Sequence, residues 1–489
     1  MADLFVDIVT PNDHRYSQPT GLFINNEFVP SGGQTITSID PATDKPIATV
    51  HAASTGDVDR AVNAAKAALV NPCWKKLPAT GRGQMMARLA DLIEKNRELF
   101  ASIDAWDNGM NPPDRPPRRI QLTNQGNPIM SPSTKTSPKP SSKPSSKPSL
   151  KQLTISTTPE KFAYTIRQPV GVVGQIIPWN YPLSMATWKL GPVLTCGNTI
   201  VLKPAEQTPL STLVLGNLIK EVGFSPGAVN ITNGYGREAG AALASHPLVD
   251  KIAFTGSTMT AREIIRMAAG TLKNITLETG GTSPLLVFPD ADLDEARDIF
   301  QFFLTKFKEA VKTTSKIGDQ LDESIFQEPQ VTRAQYKRIL SYIEMAKSEG
   351  ATVVTGGSAH TPANSKNEKG YFVEPTVFTD TTDSMRIVRE EVFGPVVVIL
   401  SFSSEEESIQ RANSTTYGLG AAVFNLERAH RVAAEIESGT IWIYSSQDCD
   451  PRILFGGVKQ SAIGRELGGR GLEAYSQVKT VHINMGSRL

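Results

Sequence analysis

Residues 252–284 read IAFTGSTMTAREIIRMAAGTLKNITLETGGTSP, and their reading decides the fold. A short apolar run stops at Gly256, and a helical pattern starts at Ser257 and Thr258. A strand that turns directly into a helix leaves unpaired backbone N–H groups and the positive end of a helix dipole at one point, where a phosphate is stabilised. A second strand then ends on Glu278 beside Gly280 and Gly281, which puts one carboxylate next to permissive backbone. That is a usual setting for a general acid or base.

Alternation of strand and helix extends outward from this stretch. Upstream, AYTIRQ, GVVGQII, a Pro-Trp-Asn turn, an apolar helix, NTIVLKPA, a helix at 209–222 and AVNITN form a βαβ series. Such a series implies a mainly parallel sheet with helices on both faces. Gly234, Gly236 and Gly240 stand between strand and helix as a weak nucleotide fingerprint. Downstream, ATVVTGG, YFVEPTVF, VFGPVVVILSF, GLGAAVF and TIWIY repeat the alternation and predict a second α/β domain. Residues 21–52 read as short antiparallel strands, and apolar spacing predicts helices over 57–70 and 82–102. The tail QVKTVHINM alternates as a strand that pairs outside its own domain or across a dimer.

Residues 111–156 break this order. The segment is rich in Pro, Ser and Lys, carries SSKPSSKPS at 141–149, and has eight Lys and Arg but no acid between Arg115 and Pro159. It cannot bury enough apolar surface to offset the entropy of ordering it, so a disordered insertion is expected.

Composition excludes several function classes. The 489 residues hold 50 Lys plus Arg against 49 Asp plus Glu, a formal charge of +1, so no global field draws the molecule to nucleic acid or to anionic membranes. Neither a signal peptide nor a membrane span is expected, and the three cysteines suit a reducing cytoplasm. Cys73, Cys196 and Cys449 are widely separated, so no cysteine metal site is indicated, and no other metal site is expected. Cys73 and Cys196 read as packed small hydrophobes.

The motifs GLFINNEFV, GVVGQIIPWNYPL, GNTIVLKPAEQTPL, FTGST, LETGG, EEVFGP, TTYGLGAAVF, FGGVKQSAIGRELG and QVKTV occur in this order over almost the whole chain. Together they resemble the aldehyde dehydrogenase superfamily. The resemblance implies an aldehyde dehydrogenase-like α/β fold: a Rossmann-type NAD-binding domain at 1–110 and 169–280, a catalytic-type α/β domain at 281–475, and a small β oligomerisation element at 157–168 and 476–489. It further implies NAD-dependent oxidation of a small-molecule aldehyde to a carboxylic acid, and a homodimer or homotetramer.

Site residues carry over one by one. Asn180 matches the amide that holds the oxyanion, and Glu278 matches the general base. Ile177, Pro178, Trp179, Lys203, Glu206, Gly236, Gly256, Ser257, Glu391 and Phe393 match cofactor-binding positions. A carboxylate at Glu206 that accepts from the ribose hydroxyls favours NAD over NADP.

The sequence also departs from the family. The nucleophile cysteine, expected soon after the glutamate motif, is missing: DADLDEAR runs straight into DIFQFFLTKFKEAVKTTSK, a truncation near residue 297. No cysteine lies between Cys196 and Cys449. Cys449, in the loop before FGG at 455–457, is the one alternative thiol near the expected tunnel. A second function class is therefore carried alongside the first, a catalytically inactive relative that binds nucleotide or serves as a scaffold partner.

Overall fold

A computed structural model describes residues 4–110, 154–158, 161–288, 299–322, 324–362 and 365–486. Its centre is an eight-stranded sheet. In spatial order the strands are Ala462–Ile463, Asn274–Glu278, Lys251–Thr255, Val172–Ile176, Thr199–Lys203, Val229–Ile231, Leu22–Ile24 and Glu27–Val29. The five inner strands run parallel, and the outer ones add antiparallel edges.

The inner strands are apolar on both faces because both are covered by helices, as parallel sheets require. Val173, Ile200, Leu202 and Ala253 pack toward the helices Ala79–Lys95, Pro182–Thr195 and Leu210–Val222. Val172, Val201, Ile252 and Phe254 pack the opposite way, toward Thr55–Val70, Ala241–Ser245 and Thr258–Ala269. The chain lays down the strand Val172–Ile176 and then the next two on one side of it, and crosses back to place Lys251–Thr255 on the other. This reversal of strand order opens a crevice at the carboxyl ends of Val172–Ile176 and Lys251–Thr255.

The second half forms two three-stranded sheets. One orders Leu285–Val287, Gly420–Phe424 and Thr440–Ile443; the other orders Thr352–Thr355, Thr376–Thr379 and Val396–Val398. The tail strand Ser476–Asn484 pairs antiparallel with Lys161–Pro169 along nine residues, so the expected pairing of these two segments is present.

Three expectations need correction. The helix expected over 82–102 is two, Ala79–Lys95 and Arg97–Asn108, because Asn96 leaves helical backbone at the junction. Gly236 and Gly240, expected between strand and helix, instead bound a π-helical turn, Gly236–Gly240, that leads into Ala241–Ser245. The insertion expected over 111–156 overlaps the start of a strand: Thr154–Thr158 pairs with Lys161–Pro169. The rest of that insertion, and the truncation near 297, lie outside the described residues.

Candidate active site

The carboxyl edge of the parallel sheet gathers the predicted residues in strand order. Glu278 ends one strand, Gly256 and Ser257 follow the next, Ile177 to Asn180 follow the third, Lys203 ends the fourth, and Gly236 follows the fifth. Neighbouring strands lie about 4.8 Å apart, so the five stations span roughly 19 Å, enough for an extended dinucleotide.

Each station has a local cause. Ser257 caps the helix Thr258–Ala269 by accepting from Thr260 N at 3.2 Å, which points the start of that helix into the crevice. Lys203 is buried; its Nζ donates to Glu206 Oε2 at 3.3 Å and to Pro204 O at 3.0 Å. Burial lowers the lysine's pKa, partly offset by Glu206, and the pair is far from the exposed surface bridge that the i, i+3 spacing alone would suggest. Gly236 is exposed, and a Cβ there would meet nothing within 4 Å, so the far station is open.

The second half closes onto this edge through Glu391 and Phe393. Phe393 meets Trp179 edge to face at 5.3 Å between centroids, and Gln335 Nε2 donates to Phe393 O at 2.7 Å. Gly281 N donates to Glu391 Oε1 at 3.1 Å. A Cβ on Gly280 would stand 2.4 Å from Glu391 Oε2, so a side chain there would require the carboxylate to shift. Adjacent acids have opposite fates here. Glu390 faces outward, held by Arg386 and by Tyr342 Oη, and these hydrogen bonds lower its pKa to about 2. Glu391 faces inward, and burial raises its pKa to about 7.

Glu278 is 4 % exposed, and neither carboxylate oxygen has a hydrogen-bond partner among the described residues. Burial and then the charge of Glu466 push its pKa well up, while Lys189 and Arg465 pull the other way. A carboxyl group so placed holds its proton well above the usual carboxylate range, as a group that must take up a proton requires. Gly456, at φ +143°, has its missing Cβ 2.5 Å from Glu278 Oε1, so the FGG turn can pass the base only without a side chain.

Sequence reasoning missed the group behind Glu278. Lys189, fully buried on the helix Pro182–Thr195, forms an ion pair with Glu466, itself 5 % exposed. A lone lysine inside the apolar run SMATWKLGPVL was a legible signal, because an unpaired buried ammonium is too costly to keep. Leu467 follows at φ 59° and ψ −178°, a conformation that costs a side-chain-bearing residue about 1–3 kcal/mol, and it fixes the chain immediately after Glu466.

Asn180 is buried, and its Oδ1 has no partner. Buried polar atoms without partners recur along the whole edge, at Thr232, Asn233, Thr255 and Thr258. Such atoms call for polar occupants, and a dinucleotide with its ribose and phosphate oxygens fits that donor and acceptor set. Cys449 does not behave as a reactive thiol: burial, then the Asp450 charge, raise its pKa to about 11. Cys196 is raised likewise to about 11, chiefly by burial, whereas Cys73 is exposed and does not pack as expected. Among the described residues no group of three or more His, Cys, Asp or Glu could hold a metal, and no helix is long and apolar enough to cross a membrane.

Fold and site thus define a doubly wound dinucleotide-type α/β protein whose buried carboxyl group sits at one end of the nucleotide crevice. The model of the aldehyde dehydrogenase family matches residues 28–302 and 296–481, and the chain belongs to that family. It is 43 % identical over 518 aligned positions to an aldehyde dehydrogenase of Emericella nidulans, with 100 % of each chain covered. It is 41 % identical over 522 positions to aldehyde dehydrogenase [NAD(P)+] 1 of Saccharomyces cerevisiae, covering 99 % of each. Among solved structures, the NAD+ complex of an aldehyde dehydrogenase from Bacillus cereus superposes with a TM-score of 0.84 at 41 % identity, covering 96 % of this chain and 97 % of that one. A betaine aldehyde dehydrogenase from Staphylococcus aureus, in complex with NAD+ and with a BME-modified cysteine, gives 0.86 at 34 % identity, covering 96 % and 99 %.

Proposed function

We propose that the chain is an NAD-dependent aldehyde dehydrogenase, which oxidises a small aldehyde to its carboxylic acid. The observation that carries this reading is the alignment of a buried, unpartnered Glu278 with Asn180 and the nucleotide stations along one sheet edge.

NAD, when bound, supplies the hydride acceptor. Gly256 and Ser257 would face its pyrophosphate, Lys203 and Glu206 the adenosine ribose, Gly236 the adenine end, and Ile177, Pro178, Trp179, Glu391 and Phe393 the nicotinamide end. The Glu206 carboxylate suits two ribose hydroxyls and repels a 2′-phosphate, which favours NAD over NADP. Asn180 can donate its amide to the reacting carbonyl oxygen, where a fixed dipole counters developing charge. Glu278 takes a proton from the attacking water, and the buried Lys189–Glu466 pair tunes its charge.

The covalent step of the family has no assigned residue in this chain. No cysteine lies between Cys196 and Cys449, and neither of these is a thiolate at neutral pH. The two stretches of the family match meet at 296–302, beside the residues where that nucleophile is expected, and this supports a truncation there. The alternative reading is a catalytically inactive relative that binds NAD or a protein partner. We further assign NAD binding to 1–110 and 169–280, the catalytic-type domain to 281–475, and a homodimer or homotetramer in the cytoplasm to the element at 157–168 and 476–489; the paired strands Lys161–Pro169 and Ser476–Asn484 support the last.

The test incubates purified protein with NAD and short or aromatic aldehydes and follows NADH. Turnover establishes the enzyme, and Cys449→Ser should leave it unchanged. NAD binding by calorimetry without turnover establishes the inactive relative instead.

A further inference from the structure

The helix Arg97–Asn108 carries charge where its spacing calls for apolar residues. Phe100, Ile103, Asp104 and Asp107 follow the i, i+3, i+4, i+7 spacing of a core-facing stripe, and Phe100 and Ile103 are core residues, yet the other two positions are acids. Asp107 is buried, as is Oδ1 of Asp104, and among the described residues no cation acts on either. An apolar side chain would pack there at less cost, because a buried acid without a partner loses its hydration.

The two acids hold the starts of two other helices. Leu183 N donates to Asp104 Oδ2 at 3.4 Å, and Leu210 N donates to Asp107 Oδ2 at 3.3 Å. Neither Pro182–Thr195 nor Leu210–Val222 has a side-chain cap of its own, since Tyr181 and Pro209 precede them and offer no short side-chain oxygen. The orphan N–H groups and the positive dipole end at each start therefore face a carboxyl group from a third helix. The Ser211 hydroxyl, one residue into the second of these helices, stands beside Asp104, so the two starts lie side by side. Gly109 fixes the third helix along its axis: it ends that helix at φ +81°, and a Cβ there would stand 2.9 Å from both Pro329 O and Pro41 Cγ.

Each start closes a loop of the candidate site. Asn180 lies three residues before Leu183, in the turn that carries Ile177, Pro178 and Trp179, and Glu206 lies four residues before Leu210. We propose that Asp104 and Asp107 are positioning residues: by capping the two helices from a third, Asp104 holds the loop of Trp179 and Asn180, and Asp107 holds the loop of Glu206. This rests on those loops receiving NAD and the aldehyde.

The acids serve as hydrogen-bond acceptors more than as charges. Burial, partly offset by the Ser211 hydroxyl and the Leu183 N–H, raises the Asp104 pKa to about 6, and burial followed by the Asp104 charge raises Asp107 well above the usual carboxylate range. Asn, whose amide oxygen also accepts, is therefore the conservative replacement, whereas Leu keeps the stripe filled and removes the acceptor.

The experiment uses the full chain and two readouts. Calorimetry gives the affinities of NAD and of ADP-ribose, which lacks the nicotinamide, and amide hydrogen exchange by mass spectrometry follows segments 178–184 and 205–211. Asp104→Leu should speed exchange in the first segment alone and weaken NAD about tenfold relative to ADP-ribose. Asp107→Leu should speed exchange in the second segment alone and weaken both ligands by the same factor. Asp104→Asn and Asp107→Asn should restore both readouts. Where a leucine variant does not fold, the alanine variant takes its place. A role confined to stability predicts instead a lower melting temperature, exchange raised in both segments and an unchanged ratio of NAD to ADP-ribose affinity, and that result overturns the proposal. Unchanged exchange in the folded variants, or no rescue by Asn, overturns it equally. If the wild type binds neither nucleotide while exchange shifts as expected, the NAD reading fails and the capping of the two loops stands.

Discussion

The nucleotide side and the aldehyde side of the crevice are built to different degrees of completeness. On the proposed nucleotide side Lys203, Ser257 and Glu391 are fixed by a buried contact, a helix cap and a backbone donor, while Gly236 is open. On the proposed aldehyde side Asn180 and Glu278 are buried, and burial pushes the thiols of Cys196 and Cys449 up to about 11. The difference teaches that the two functions are held by separate parts of the fold. The proposed nucleotide stations belong to consecutive βα turns of one sheet, whereas the nucleophile that the family resemblance implies belongs to a single loop.

The strongest way to break this comparison is Glu278→Gln. Any turnover should fall by about 10²- to 10⁴-fold, while NAD affinity by calorimetry stays the same; a parallel loss of affinity would show that the two sides are one unit. Lys189→Met comes next. It leaves Glu466 buried and unpaired behind the base, and should cost about 3–5 kcal/mol in urea unfolding, an effect that belongs to the scaffold shared by both sides.

The third probe is pH. Burial raises the Glu391 pKa from 4.5 to about 7, so the folded state holds this proton more tightly than the unfolded chain. Its contribution to stability is therefore fully present below pH 4.5 and is lost as pH rises through about 7. Glu391→Gln should flatten the stability profile over that window, as measured by melting temperature. The smallest effect is expected at Glu206→Ala, which should weaken NAD about tenfold, narrow its advantage over NADP in competition binding, and lower the melting temperature slightly because buried Lys203 loses its carboxylate partner.

Much of the site was legible because chemistry and punctuation coincide. Gly256-Ser257 marks a strand-to-helix turn, and Glu278 ends an apolar run, so both positions could be named from spacing alone. Lys203 and Glu206 were ambiguous, since i, i+3 charges are commonly surface pairs; burial of Lys203 decided the matter. Glu390 and Glu391 were indistinguishable as letters, and only the packing of Arg386 and Gly281 turned one outward and the other inward. Of the groups behind the base, Lys189 stood out as a charge in an apolar run, but its partner Glu466 was not legible, because the two are far apart in sequence and meet only when the fold brings the helix Pro182–Thr195 and the turn before Gly468–Glu473 together.

By itself, then, the sequence determined the alternating α/β order, the strand-to-helix turn at Gly256 and Ser257, and the lack of a cysteine between 196 and 449, since periodicity, turn chemistry and residue inventory are local properties. Tertiary structure alone decided which ionisable groups are buried, which face one another, and hence which protons can move. Those outcomes depend on desolvation and on distances between segments hundreds of residues apart, as between Lys189 and Glu466 at a separation of 277.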